Sequence, residues 1–275
     1  MNASILFLPA LNDVEQMRLP QELVEAIIDC LSDDRKTLET CSLVGTTLLG
    51  RSRHHLFNRI SLNEARARQW CSTISPDPDG VSCLVRTLTL QQAHGHRWLG
   101  TKFFDTIPGR HFSSFRHIEN LSITWLDLSD FEPGSLARHF VHYRSSLRSL
   151  RLSYLSADYS ILMTFLQLLP NLKELLIHTP DLRDDGPPPR VSRTASPMHG
   201  SLNLLSFDSI SSPFFSHLAG LDLRFSSISA FHCDSSSALP LNKLLEASSS
   251  TLRSLELEYI TFCGSFLLPF LTSRL

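Results

Sequence analysis

The stretch Leu147-Arg148-Ser149-Leu150-Arg151-Leu152 is one copy of a pattern, L-x-x-L-x-L, that recurs along this chain. Val85-x-x-Leu88-x-Leu90 and Ile118-x-x-Leu121-x-Ile123 precede it, and Leu172-x-x-Leu175-x-Ile177 follows. Three weaker or later copies are Leu202-x-x-Leu205-x-Phe207, Leu218-x-x-Leu221-x-Leu223 and Leu252-x-x-Leu255-x-Leu257. Alternate side chains of a strand share a face, so the last two apolar residues of each copy point the same way. The apolar residue three positions earlier anchors the turn into the strand. A single unit of this kind cannot bury its apolar face, and copies are expected to stack as a parallel sheet. The central residues lie 25 to 34 apart, except for the 16 between Leu205 and Leu221. That short interval has no room for a full helix, so one of those two copies is expected to pair differently.

The segments between copies carry helical spacing that can close each turn. Leu136, Phe140 and Tyr143 form one such set, and Ile161, Leu162, Phe165, Leu168 and Leu169 another. Leu241, Leu244 and Leu245 form a third, before the last copy. A strand-plus-helix unit of this length resembles the leucine-rich repeat, in an irregular version. The resemblance implies an α/β fold, a horseshoe-like parallel sheet with helices, whose extended surface holds another protein. Many such repeats place asparagine or cysteine three residues after the last leucine of the pattern. Here those positions are Ala93, Leu126, Leu155, Pro180, Ile210, Ser226 and Ile260, so the curve is expected to be irregular. Outward positions between the paired leucines are Thr89, Ser122, Arg151, Leu176, Ser206, Asp222 and Glu256, a mixture that names no ligand. Trp98, Trp125 and Tyr154 are read either as contact anchors or as buried aromatics.

Ahead of the repeats, Arg18 to Leu62 reads as three short helices. Pro20 suits a helix's first turn, and Val24, Ile27, Ile28 and Leu31 keep the i, i+3, i+4, i+7 spacing of one face. Asp33 or Asp34 can cap a second helix that buries Leu38 and Cys41. Gly45 is the expected break before a third helix from about Thr47 to Phe57. This stretch resembles the F-box at the N-terminus of large fungal protein families. The matching residues are Leu19-Pro20, Glu22-Leu23, Ile27-Ile28-Asp29 and Leu31. They continue through Asp33-Asp34-Arg35, Leu38, Cys41-Ser42-Leu43-Val44, Arg51-Ser52-Arg53 and His55-Leu56-Phe57. Leu48 stands where the family commonly has tryptophan.

The resulting organisation is an arm over 1–17, an F-box over 18–62 and a leucine-rich-repeat-like domain over 63–275. Within the last, 184–200 holds three consecutive prolines among small polar residues and is expected to be a flexible insertion. Arg193-x-x-Ser196-Pro197 inside it has the form of a kinase target, though an ordinary loop is the simpler reading. No polar closing repeat follows Leu257. A longer array, a covering partner or cover by the chain itself is therefore expected at that end.

Composition narrows the functional classes. A formal net charge of −2 disfavours a general nucleic-acid or polybasic membrane binder. The six cysteines are scattered without a C-x-x-C pair, which fits neither a disulfide framework nor a zinc site and suggests a reducing, intracellular compartment, cytoplasmic or nuclear. Cys30 and Cys41 are read as small core residues. The short apolar run Ile5 to Leu8 lacks a basic leader and is not read as a signal peptide. His139 and His142 stand at metal-ligand spacing without a third ligand, and His94-x-His96 lies beside Arg97 and Trp98 in a loop; both pairs are read as packing or surface histidines. No nucleophile-elbow, phosphate-loop, dinucleotide or zinc-protease motif is present.

The resemblance therefore implies a substrate-recognition adaptor rather than an enzyme, with no cofactor or metal. Its F-box would dock on the Skp-type adaptor of a cullin–RING ubiquitin ligase while the repeats hold a substrate protein. The expected adaptor-binding residues, or their immediate support, are Leu19, Pro20, Glu22, Leu23, Ile27, Ile28, Leu31, Leu43, Val44 and Leu48. The alternative readings are a repeat scaffold acting outside any ligase and, more remotely, a cryptic hydrolase.

Overall fold

The structure, a computed structural model, describes residues 19–77, 79–91, 99–107, 109–129, 131–178, 180–183, 201–202, 204–208, 218, 224–231 and 238–258. The chain divides into two compact units between Leu56 and Phe57. The insertion at 184–200 with its Ser196-Pro197 pair, the N-terminal arm, and His94, His96, Arg97 and Trp98 lie outside the described residues.

The first unit holds α1 (Gln21–Cys30), α2 (Arg35–Val44) and α3 (Thr46–Asn58), the last running on past the division. Pro20 sits one place earlier than the sequence suggests. It is the residue before the helix, and its carbonyl accepts from the Leu23 and Val24 amides at 3.0 and 3.2 Å. Asp34 is the cap of α2, its Oδ1 accepting the Thr37 amide at 3.1 Å. Gly45 breaks the chain with extended backbone. Ile28, Leu38 and Leu56 are the buried apolar residues of the three helices. Cys30 corrects the sequence reading, being exposed, while Cys41 is half-buried. Cys30 follows the buried Ile28 by two places, which turns it to the opposite side of the helix.

The second unit is built on a parallel sheet. Its strands are β1 (Arg59–Leu62), β2 (Thr87–Leu90), β3 (Asn120–Asp127), β4 (Ser149–Asp158), β5 (Glu174–His178), β6 (Asp181–Arg183), β8 (Leu204–Asp208), β10 (Ser227–Phe231) and β11 (Ser254–Glu258). A separate pair, β7 (Ser201–Leu202) and β9 (Arg224–Phe225), lies off it. The sheet's order is β1-β2-β3-β4-β5-β8-β10-β11, with β6 added beside β4, so the described fold is α/β with nine parallel strands. Register aligns the repeated leucines. Ile60, Leu88, Leu121, Leu150, Leu175, Leu205, Ile228 and Leu255 fall in one row. In the copies on Leu88, Leu121, Leu150 and Leu175 both residues of the pair are buried, with Leu90, Ile123, Leu152 and Ile177 as the second.

Two assignments move. The strand Arg59–Leu62, placed with the helical unit by sequence, pairs with β2. It carries the same pattern as Phe57-x-x-Ile60-x-Leu62. The copy written on Leu218 also shifts. Leu218 is buried, but the strand that enters the sheet is β10, with Phe225 aligned on Leu202 as its anchor and Ile228 opposite Leu205. Phe225-x-x-Ile228-x-Ala230 keeps the spacing, and its central residue follows Leu205 by 23 positions instead of 16.

Helices return the chain between strands: α4 (Glu64–Thr73) after β1, α5 (Thr101–Thr106) and α6 (Gly109–Ser114) after β2, α7 (Pro133–Phe140) after β3 and α8 (Tyr159–Gln167) after β4. The helix Ala238–Ser248 precedes β11. Asn63 caps α4 by accepting the Arg66 amide at 2.9 Å. Leu136, Phe140, Tyr143, Leu162, Phe165, Leu241, Leu244 and Leu245 are all fully buried, as their helical spacing requires. Burying an aliphatic or aromatic side chain of this size contributes about 1.5–3 kcal/mol.

β3 and β4 each bend at one residue. Trp125 has φ 64° and Tyr154 φ 55°, between the registered pairs Thr124–Ser153 and Leu126–Leu155. After the bend the ladder continues. Leu126 pairs with Leu155 and also bridges Leu99, Asp127 pairs with Ser156, and Ser156 pairs with Asp181. Leu126 and Leu155 stand at positions where the resembled pattern often has asparagine or cysteine to satisfy turn backbone. Here neighbouring chain does so, the Leu128 amide reaching the Ser156 carbonyl at 2.8 Å.

Candidate protein-interaction surface

An amphipathic helix that packs on one side usually leaves charge on the other. α1 does not. Leu23 and Ile27 stand one turn apart on α1 and are 53% and 52% exposed, and Leu19, two residues before the helix, is 58% exposed. At the end of α2, Leu43 and Val44 are 86% and 72% exposed. Isolated surface leucines are ordinary, but these five make up most of the exposed large apolar residues among those described. The structure thereby sorts the ten residues expected at the interface. Ile28 is buried and holds the helices together; Leu31 and Leu48 are half-buried; Leu19, Pro20, Glu22, Leu23, Ile27, Leu43 and Val44 are exposed.

The polar residues of the same stretch form a clamp between α1 and α3. Asp29 accepts from Arg51 Nε at 2.5 Å and Nη2 at 2.7 Å, a fork that fixes both planes. His55 Nε2 lies 2.7 Å from Asp29 Oδ1 and must carry the shared hydrogen, since a carboxylate only accepts. Hydrogen bonds from Arg51, then from His55, hold the Asp29 carboxyl well below the usual carboxylate range. The same contact raises Arg51 above its ordinary value. Sequence reading had matched Asp29, Arg51 and His55 to a pattern without seeing that they meet. Their spacing of 22 and 26 residues carries no local signal.

In the second unit the row beside those leucines reads Ser61, Thr89, Ser122, Arg151, Leu176, Ser206, Ser229 and Glu256; Arg151 and Glu256 are exposed, whereas Ser206 and Ser229 are buried. Ser229, donating to Glu256 at 2.9 Å, takes the place assigned to Asp222, which lies outside the described residues. Trp125 and Tyr154 stack face to face, centroids 4.1 Å apart and planes within 5°, and Tyr154 is 41% exposed.

The histidine pair at 139 and 142 separates. His142 is exposed, whereas His139 is buried within about 5–7 Å of the Phe104, Phe112 and Phe131 rings. Burial lowers the His139 pKa; Asp105 opposes that shift and Arg138 adds to it. Among the described residues no group of three or more His, Cys, Asp and Glu could hold a metal ion, and no helix is long and apolar enough to cross a membrane. No protein-family model matches the chain, and no curated protein matches it.

Proposed function

We propose that this chain is a two-part adaptor. An F-box-type helical unit docks on the Skp-type adaptor of a cullin–RING ubiquitin ligase, and an irregular leucine-rich-repeat unit holds a substrate protein. The observation that carries the reading is the exposure of Leu19, Leu23, Ile27, Leu43 and Val44. A three-helix unit whose own core is satisfied by Ile28, Leu38 and Leu56 has no internal use for those side chains. Apolar side chains at a protein interface lose their water only when a partner covers them. The repeat unit adds an extended outward face suited to a second protein. No bond chemistry is assigned to the chain; it works by proximity, raising the local concentration of one bound protein near another.

The test separates docking from folding. Leu23→Asp with Ile27→Asp replaces exposed side chains, so the thermal midpoint is expected to stay within the small range of surface substitutions. Recovery of a Skp-type adaptor with the tagged chain is expected to vanish. Leu19→Ala with Pro20→Ala is expected to act the same way. Adaptor recovered equally with all these variants sinks the reading. Failure of the wild-type chain to recover any adaptor favours the scaffold alternative.

A further inference from the structure

The outward side of β4 carries Arg151, Ser153 and Tyr154 in succession. Arg151 is exposed and takes part in no ion pair or side-chain hydrogen bond among the described residues. Its registered neighbours are Ser122 and Leu176, and Ser149 and Ser153 flank it along the strand. Asn120 and Thr124 lie diagonally on β3, Glu174 and His178 on β5. A long guanidinium therefore rises from a floor of mostly short hydroxyl and amide side chains. At the start of the strands, Arg86, Glu119, Arg148 and Lys173 follow one another across the sheet, joined by backbone bonds of 2.7–2.8 Å. With Arg151 these make four cations to the two acids Glu119 and Glu174. Arg86 and Arg148 each donate to a backbone carbonyl, of His117 and Asn171, and Glu119 lies 3.9 Å from Arg86. That leaves Arg151, with Lys173, as the cations with no such side-chain partner among the described residues. Asp127 and Asp181 stand at the opposite ends of the strands, and Asp127 is engaged by Ser129.

About 10 Å along the strand from Arg151 stands the aromatic stack. Left-handed backbone is uncommon for side chains of this bulk and is retained only where the surroundings impose it. The bend places two outward residues in succession on each strand, Thr124-Trp125 and Ser153-Tyr154, where simple alternation would send the aromatics inward. The result is a rigid pair standing on the sheet beside an unpaired cation.

We propose that Arg151 and the Trp125–Tyr154 stack form one recognition spot for an acidic protein segment. A carboxylate of the segment meets the guanidinium, and a flat apolar side chain of it lies against Tyr154. The proposal rests on the adaptor reading in taking the occupant to be a protein, and it deepens that reading by stating the occupant's chemistry. Arginine binds a carboxylate through its planar fork, and a Tyr ring offers contact area with little side-chain entropy to lose.

Random peptides displayed on phage, selected on the full chain, test it. Aspartate and glutamate are expected to be enriched on the wild type. On Arg151→Glu that enrichment is expected to fall at least about tenfold and give way to lysine and arginine. Peptides chosen on the wild type are expected to bind Tyr154→Gly about tenfold more weakly. Identical selections on wild type and Arg151→Glu, or no acidic enrichment at all, overturn the proposal. So does unchanged affinity in Tyr154→Gly, because the stack is then no part of the spot. Recovery of the Skp-type adaptor is measured on the same proteins and is expected to survive Arg151→Glu. Acidic selection by a chain that recovers no adaptor discards the ligase reading and leaves this one standing.

Discussion

Tyr154 combines a favourable contact with an unfavourable backbone, and substitution can separate the two. Its stack with Trp125 is worth roughly 0.5–1.5 kcal/mol beyond simple burial. Its left-handed φ of 55° costs any side chain with a Cβ roughly 1–2 kcal/mol relative to glycine. Tyr154→Ala loses the ring and keeps the strain, whereas Tyr154→Gly loses both. Glycine is therefore expected to be the milder change, by about 1 kcal/mol in a urea unfolding series. This inverts the usual order within strands, where glycine is the worse residue. Equal losses would mean that the bend relaxes once the ring is gone. Trp125 and Tyr154 were visible beforehand as aromatics near strand ends. Their contact was not, because it depends on register between strands 29 residues apart in the pattern. Asp29, Arg51 and His55 show the same limit: residue types were legible, and their meeting needed the angle between two helices.

At the level of the element, sequence carried most of what the structure shows, because hydrophobic spacing is a local consequence of which face is buried. The cap at Asp34, the break at Gly45 and the helices after β3 and β4 were all readable from residues within one turn. The errors fall where the pattern is spelled in other residues. Phe57-x-x-Ile60-x-Leu62 and Phe225-x-x-Ile228-x-Ala230 use phenylalanine as anchor, and the first lies inside a stretch already read as helical. α5 and α6, six residues each, are too short to show a helical period. The placing of β1 has a direct consequence. A fragment beginning at Phe57 keeps the strand that covers β2, while one beginning at Asn63 exposes the β2 edge and discards the buried Leu62. The shorter fragment is expected to be less stable and to associate at micromolar concentration, since an unpaired edge recruits another strand. Sedimentation of both fragments checks this; two equally monomeric, equally stable fragments would mean that β1 adds nothing to the sheet.

For the molecule as a whole, acid acts through His139 in one unit and through Asp29 and Asp34 in the other. His139 has its pKa lowered by burial, with the Asp105 and Arg138 charges as smaller influences. A depressed value means the unfolded chain takes the proton more readily. The contribution of neutral His139 is complete above its ordinary 6.5 and is lost as pH falls below that toward the folded value. Asp29 in the helical unit is also depressed, by its bonds to Arg51 and His55, so its contribution persists far lower. It is complete above the ordinary 3.8 and is lost only as pH falls on toward the still lower folded value. Stability measured by urea midpoints is therefore expected to decline in two separate windows. His139→Phe places a fourth ring beside Phe104, Phe112 and Phe131 and is expected to flatten the decline between pH 7 and pH 5, leaving the acid limb intact. Asp29→Asn is expected to do the reverse: it weakens the clamp at pH 7, because an amide cannot replace the charged fork to Arg51, and it reduces the fall below about pH 4, of which Asp34, also depressed by its bonds from Thr37, keeps a part. A His139→Phe chain that still loses stability between pH 7 and pH 5 would assign that window to another group, and the buried ring would then be packing alone.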